Sequence, residues 1–283
     1  MAHALLAALR RRLRDIAPPP PSNGAPAAAV LVPLFRSATP PAPPTSTSNQ
    51  PPAPNNASSS SSSDQLAVLL TRRSAKLRRH GGEVALPGGR LDPGETARDA
   101  ALREAHEECG LPPSKVTILG ELDPMLSKHK VWVTPVVGLV EDISSFKPTP
   151  NPGEVDSIFW VPLESMLSSK GHSHTDIELF NTTLRIHNFD VEVDATRIWR
   201  CSDDSKSPSS ENFVIWGLTS AILVRIAMLA HDAAPEFEFG PSADLTDDGR
   251  DEHTKRNVPA VSLGTPSPPS PPSPPPSSSS SRM

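Results

Sequence analysis

The sequence predicts an α+β domain built on a mixed sheet, and three observations predict it. Val- and Leu-rich segments of strand length recur at 28–35, 65–73, 115–123 and 131–142. The longer stretches that read as helix, 94–110 and 213–230, do not alternate with those strands at the regular period of βαβ units. Once the low-complexity stretches are set aside, about 200 residues remain, which suits one domain.

Composition separates the parts that fold from those that do not. The 283 residues include 35 Pro but only 8 Phe, 4 Trp and no Tyr. The Pro- and Ser-rich stretches 18–23, 37–64 and 241–283 bury too little apolar surface to offset the entropy of ordering them. The expected organisation is an N-terminal helix and linker over 1–25, unordered in part. A domain at 26–240 follows, interrupted by a disordered insert at 37–64, and a disordered tail occupies 241–283. The formal net charge of −5 gives no electrostatic footprint for nucleic acid. Two cysteines, Cys109 and Cys201, are too few for a disulfide framework.

The elements follow in chain order. At the N-terminus an apolar start precedes a run of arginines, the wrong order for a secretory signal; it reads as a short helix ended by Pro18, with an Arg-rich presequence as the competing reading. The strands 28–35 and 65–73 are expected to be antiparallel neighbours whose connection has been lengthened by the insert, because loop closure costs rise slowly with length. Segment 156–169 reads as a strand running through Pro162 into a short helix, and 182–193 alternates as a strand. Segment 213–230 is long and apolar, but Arg225 within it is costly at bilayer depth, so a buried helix is expected and no membrane span.

The helix at 94–110 carries the chemistry. Thr96 is placed as N-cap with Asp99 three residues on, and Gly110 followed by Pro112 stops the helix. Glu104, Glu107 and Glu108 stand at i, i+3 and i+4, so their carboxylates share one face. Like charges that close repel unless a cation lies between them, and a hard divalent ion with oxygen ligands, Mg²⁺ or Mn²⁺, fits best. Arg103 can hold carboxylates with its planar fork, and Glu95 is its partner across the turn. Gly88 and Gly89 bring bare backbone close to the same place. Such a constellation suits metal-assisted hydrolysis of a phosphate ester or anhydride. Three glutamates alone would also describe an ordinary solvated helix face.

Order and spacing decide between the two. Gly89, Glu95, Arg103, Glu104, Ala105, Glu107, Glu108, Gly110 and Leu111 reproduce in register the signature of the Nudix hydrolases, which this stretch resembles. Its fixed residues would coincide by chance in about one window in a billion. The resemblance implies a Nudix-type α/β/α sandwich and hydrolysis of a nucleoside diphosphate linked to another group. It also implies Glu104, Glu107 and Glu108 as metal ligands, with one of them or a later acid serving as base. Upstream, Leu69, Leu70, Thr71, Arg73, Ser74, Arg78, Gly82, Pro87, Gly88 and Gly89 resemble the accessory motif of the coenzyme A diphosphatase branch, with Leu86 in place of its aromatic residue. Segments 126–140, 150–167 and 213–227 are similar to plant members of that branch.

On that resemblance the expected substrate is a small molecule, coenzyme A or an acyl derivative, cleaved to 3',5'-ADP and a 4'-phosphopantetheine product. Arg73 and Arg78 would grip its 3'-phosphate, with Gly88 and Gly89 beside the diphosphate. The alternatives are a hydrolase of ADP-ribose or NADH, or a Pro-rich interaction protein whose core only binds ligand. Glu154 is a candidate distal acid, and His80 and His129 are candidate ligand contacts. Ser281-Arg282-Met283 keeps the small, basic, apolar order of a peroxisomal address, so a peroxisomal import receptor is an expected partner, with mitochondrion or cytoplasm as alternatives.

Overall fold

The computed structural model describes residues 2–14, 16, 27–37, 65–78, 80–179, 182–201 and 208–239. Most of the Pro/Ser-rich insert, the tail and the C-terminal tripeptide lie outside these residues.

Chain order is helix α1 (Ala2–Arg14), strands β1 (Ala27–Ser37), β2 (Gln65–Arg73), β3 (Val84–Ala85) and β4 (Gly88–Arg90), then helix α2 (Ala97–Cys109). Strands β5 (Val116–Glu121), β6 (Met125–Leu126), β7 (Trp132–Val140) and β8 (Val155–Pro162) follow. The chain continues through β9 (His172–Leu179), β10 (Thr182–Asp194), β11 (Ile198–Arg200), β12 (Ser210–Trp216) and helix α3 (Gly217–His231). Among the described residues, nine of these strands form one mixed sheet with the path β11-β8-β2-β1-β7-β5, while β12-β10-β9 form a second.

β1 and β2 are antiparallel neighbours, as the two Val/Leu runs require, with Leu34 opposite Val68. Ser37, expected to open the insert, instead closes β1 opposite Gln65 and is buried. β1 runs parallel to β7, from Ala27 beside Trp132 to Leu34 beside Leu139. Strands so placed are covered on both faces and read as unbroken apolar runs, which is how "VLVPLF" and "VTPVVGLV" read.

Two apolar layers flank the sheet. One joins Ala29, Leu31, Phe35, Leu69 and Val136 to Ala100, Ala101 and Ala105 of α2. The other joins Val32, Leu34, Val68 and Leu70 to Leu6, Leu9 and Leu13 of α1 and to Ile222, Leu223 and Ile226 of α3. α1, read from sequence as a helix outside the domain, therefore belongs to the core. Arg12 fastens it by donating to the Leu229 carbonyl and pairing with Asp232.

The expected helix 213–230 begins late. Phe213 to Trp216 complete β12, and the break falls at Gly217, whose φ of 64° suits a residue without a Cβ. No helix among the described residues is long and apolar enough to cross a membrane. After α3 the chain lies across the small sheet: Phe237 stacks on His172 at 3.7 Å between centroids, and His172 Nε2 is 2.9 Å from His187 Nδ1. Burial holds the His187 imidazole down to about 4.

Candidate active site

α2 forms where the sequence places it. Thr96 Oγ1 accepts the Asp99 amide at 3.2 Å, and Gly110, at φ 70°, turns the chain out while its N–H bonds the His106 carbonyl at 2.8 Å. Ala100, Ala101, Ala105 and Cys109 face the sheet. Their small size lets the helix lie close to β4 and β1, and that closeness positions the glutamates.

Glu108 is the deepest of the three, at 2% exposure. Its Oε2 accepts the Gly88 amide at 3.3 Å, and its Oε1 lies 3.5 Å from Arg73 Nη1. Burial, against the pull of Arg73, pushes the carboxyl up to about 8, with the charge of Glu104 adding to the rise. Glu104 is raised as well, chiefly by burial. The charge of Glu154 adds a smaller contribution to each rise. Glu107 lies further out, its side chain half exposed.

The glycines are fixed by close approach. A Cβ on Gly89 would overlap the Glu104 carboxylate, and one on Gly88 would overlap the backbone of Ala29 and Val30. The strand β4 thus presses its backbone onto the acidic face of α2.

Arg103 is the hub of the outer side. Its Nε and Nη2 reach Glu95 Oε1 and Oε2 at 2.9 and 3.0 Å, a two-pronged pair, and Nη2 also reaches the Arg90 carbonyl at 3.2 Å. This pairing holds the Glu95 carboxyl below its ordinary value. The same guanidinium extends Nη1 to Glu104 Oε1 at 3.0 Å and Glu107 Oε2 at 3.2 Å.

That last contact departs from the expectation that the three glutamates close around an ion. Among the described residues no three His, Cys, Asp or Glu side chains converge on one point, and a guanidinium supplies the positive charge between Glu104 and Glu107. The donor set nevertheless suits a hard cation. Two of the carboxylates are desolvated and resist ionisation, and added positive charge would favour their ionised form.

The structure brings Arg73, Gly88, Gly89, Glu95, Arg103, Glu104, Glu107 and Glu108 into one place. It does not bring Arg78 to the carboxylates: its side chain is exposed on the loop after β2. His80 and His129 bond each other at 3.0 Å between their Nε2 atoms, and His80 also bonds Glu83. Sequence reading missed the pairing of Arg73 with Glu108. The signal was the alternation of β2, which sends Arg72 and Arg73 to opposite faces.

Comparison with known proteins places the site in a family. Residues 60–181 match the NUDIX domain. The chain is 40% identical over 172 residues to Nudix hydrolase 15, mitochondrial, of Arabidopsis thaliana, covering 60% of this chain and 54% of the relative. It is 39% identical over 160 residues to the Nudix hydrolase NudL of Photorhabdus laumondii, covering 56% of this chain and 74% of that protein. A peroxisomal coenzyme A diphosphatase of Mus musculus is 34% identical over 172 residues, covering 60% of this chain and 66% of that protein. The chain spans about half the length of the plant relatives it matches. With its signature glutamates gathered beside Gly88 and Gly89 and a bacterial relative matched over most of its length, the chain belongs to the Nudix hydrolase family.

Proposed function

We propose that the protein hydrolyses the diphosphate of coenzyme A or acyl-coenzyme A, releasing 3',5'-ADP and the corresponding 4'-phosphopantetheine. The observation that carries this reading is the contact of Arg73 with Glu108, because it ties the upstream stretch to the signature helix at a single carboxylate. The mouse relative carries the name of this activity.

In the reaction a water oxygen bonds to one phosphorus, the P–O bond of the anhydride breaks, and the bridging oxygen leaves with the other phosphate. Glu104, Glu107 and Glu108 would hold a divalent ion, Mg²⁺ or Mn²⁺, which supplies charge neutralisation at the diphosphate and acidifies water. Arg103 then orients Glu104 and Glu107 while Glu95 keeps it in place. Arg73 is occupied with Glu108, so the exposed Arg78 is the better candidate for the 3'-phosphate. Glu154 is a candidate base for the attacking water.

Incubating the full chain with Mg²⁺ or Mn²⁺ and, in parallel, coenzyme A, ADP-ribose and NADH tests the reading. Coenzyme A is expected to give 3',5'-ADP with the highest kcat/KM. Faster cleavage of ADP-ribose or NADH would move the assignment to another nucleotide.

Peroxisomal location goes with this substrate, through the final Ser281-Arg282-Met283 and an import receptor. Burial of Ala2, Leu6, Leu9 and Leu13 in the core supports α1 as a fold element, against a removable presequence. A fluorescent protein carrying the last ten or so residues is expected to become punctate, and to turn diffuse when Met283 is deleted. Organelle import by the first thirty or so residues instead would favour mitochondria.

A further inference from the structure

Three of the four stretches similar to the coenzyme A branch stand far apart in the chain: 69–89, 126–140 and 213–227. Residues of the first and last of these line one open cleft of about 350 Å³. Gly81, Gly82 and Val84 form one wall and Asn212, Val214 and Trp216 the other. The middle stretch closes on the rim. Lys128 Nζ lies 5.1 Å from the Trp216 ring centre, and His129 props the loop through His80 and Glu83.

The chemistry of the walls limits what fits. Arg72 lines the cleft, but its charge is taken up by Glu211, which Arg200 also bonds, and its guanidinium lies over the Phe213 ring. The Arg72 guanidinium is thus engaged by a carboxylate and a ring rather than held free for a ligand. The remaining lining is apolar side chain, one carboxamide, glycine backbone and Glu83, whose carboxylate is bonded by His80; apart from that engaged group it suits an alkyl chain carrying amides. Val214 stands 46% exposed here, apolar surface that a ligand would cover. Gly82, at φ 78°, has nothing within 4 Å of where a Cβ would be.

The cleft is within reach of the reaction. From Val84 in its wall to Gly88 against Glu108 is four residues, a span of at most about 14 Å of extended chain. Arg72 and Arg73, the last two residues of β2, turn to opposite faces, Arg72 to the cleft and Arg73 to the carboxylate, so the two sites adjoin around the end of that strand.

We propose that this cleft binds the uncharged arm of the diphosphate substrate, an amide-bearing alkyl chain with or without its acyl extension, and that Val214 and Trp216 set the preference for its length. The assignment rests on the coenzyme A reading and names residues that act on specificity. None of them belongs to the catalytic group.

The test uses the full chain with Mn²⁺. Val214→Trp fills the cleft from its exposed side, and Val214→Ser widens it. KM is measured for coenzyme A and octanoyl-coenzyme A, together with the inhibition constant of 3',5'-ADP, which shares the nucleotide half and lacks the arm. Val214→Trp is expected to raise KM for octanoyl-coenzyme A about tenfold, and Val214→Ser to shift it about threefold, with 3',5'-ADP inhibition unchanged in both. Unchanged KM in both variants, or a parallel loss of 3',5'-ADP binding in both, overturns the cleft assignment while leaving coenzyme A hydrolysis standing. A wild-type protein that cleaves ADP-ribose and ignores coenzyme A removes the reading and the cleft assignment together.

Discussion

The two faces of the large sheet carry helices of opposite character. α2 meets its face through Ala100, Ala101 and Ala105 and buries a glutamate there, whereas α3 meets the other through Ile222, Leu223, Val224 and Ile226. Small side chains bring a helix close, and on the α2 side that closeness lets Glu108 reach a strand amide and an arginine of β2. Large aliphatic side chains fill volume, and on the α3 side they contribute burial without chemistry. One face is packed for position and the other for stability, so damage to each should read out differently.

The largest effect is expected from the carboxylates. Glu107→Gln and Glu108→Gln should each lower kcat by about a thousandfold while circular dichroism and Tm stay near wild type, because the amide keeps the shape and loses the charge. Wild-type rates in both variants would remove the proposed mechanism. Glu95→Gln should cost less, since it acts through Arg103.

Gly89→Ala comes next. The added methyl must displace the Glu104 carboxylate, and a shift of that order at a reacting centre costs about a hundredfold in rate. If activity survives, β4 does not set the position of Glu104.

The opposite face gives the converse result. Leu223→Ala, at a fully buried site of α3, should lower stability by about 2–5 kcal/mol and leave kcat of the folded fraction unchanged. A drop in kcat without loss of Tm would erase the distinction between the faces.

Arg78→Ala sharpens the role of the exposed arginine: KM for coenzyme A should rise several-fold while dephospho-coenzyme A, which lacks the 3'-phosphate, is little affected. Equal losses on both would move Arg78 to the diphosphate.

The smallest effect concerns pH. The imidazole of His187 resists protonation when folded, down to about 4 against an ordinary 6.5. Between those values the unfolded chain takes up a proton that the folded chain refuses, so stability is fully present above pH 6.5 and declines as pH falls toward 4. His172, His174 and Arg185 add positive charge against that proton, and Asp176 opposes them. Tm measured across the window should fall, and His187→Gln should flatten the curve.

Much of this was legible in the residues. The caps Thr96 and Gly110, the pairing of β1 with β2 and the pair Glu95–Arg103 all followed from local rules of spacing and charge. The start of α3 did not, because "FVIWGL" is a continuous apolar run that strand and helix share, and only the conformation of Gly217 separates them. β9 was missed for the opposite reason: "HSHTDIEL" is polar, so an edge strand left no apolar period to read. The docking of α1 and the meeting of Arg73 with Glu108 are tertiary facts, fixed by which face of a neighbouring element lies opposite.

The parallel pairing of β1 with β7 has a consequence for biosynthesis. Ala27 and Trp132 are partners across more than a hundred residues of chain. At about 5–20 residues per second on the ribosome, β1 waits roughly 5–20 seconds for the strand that will cover it. Throughout that interval the run "AAAVLVPLF" is an open, apolar template for pairing with the wrong chain. The nascent polypeptide should therefore be an early client of ribosome-associated chaperones, released only once Val140 has cleared the exit tunnel.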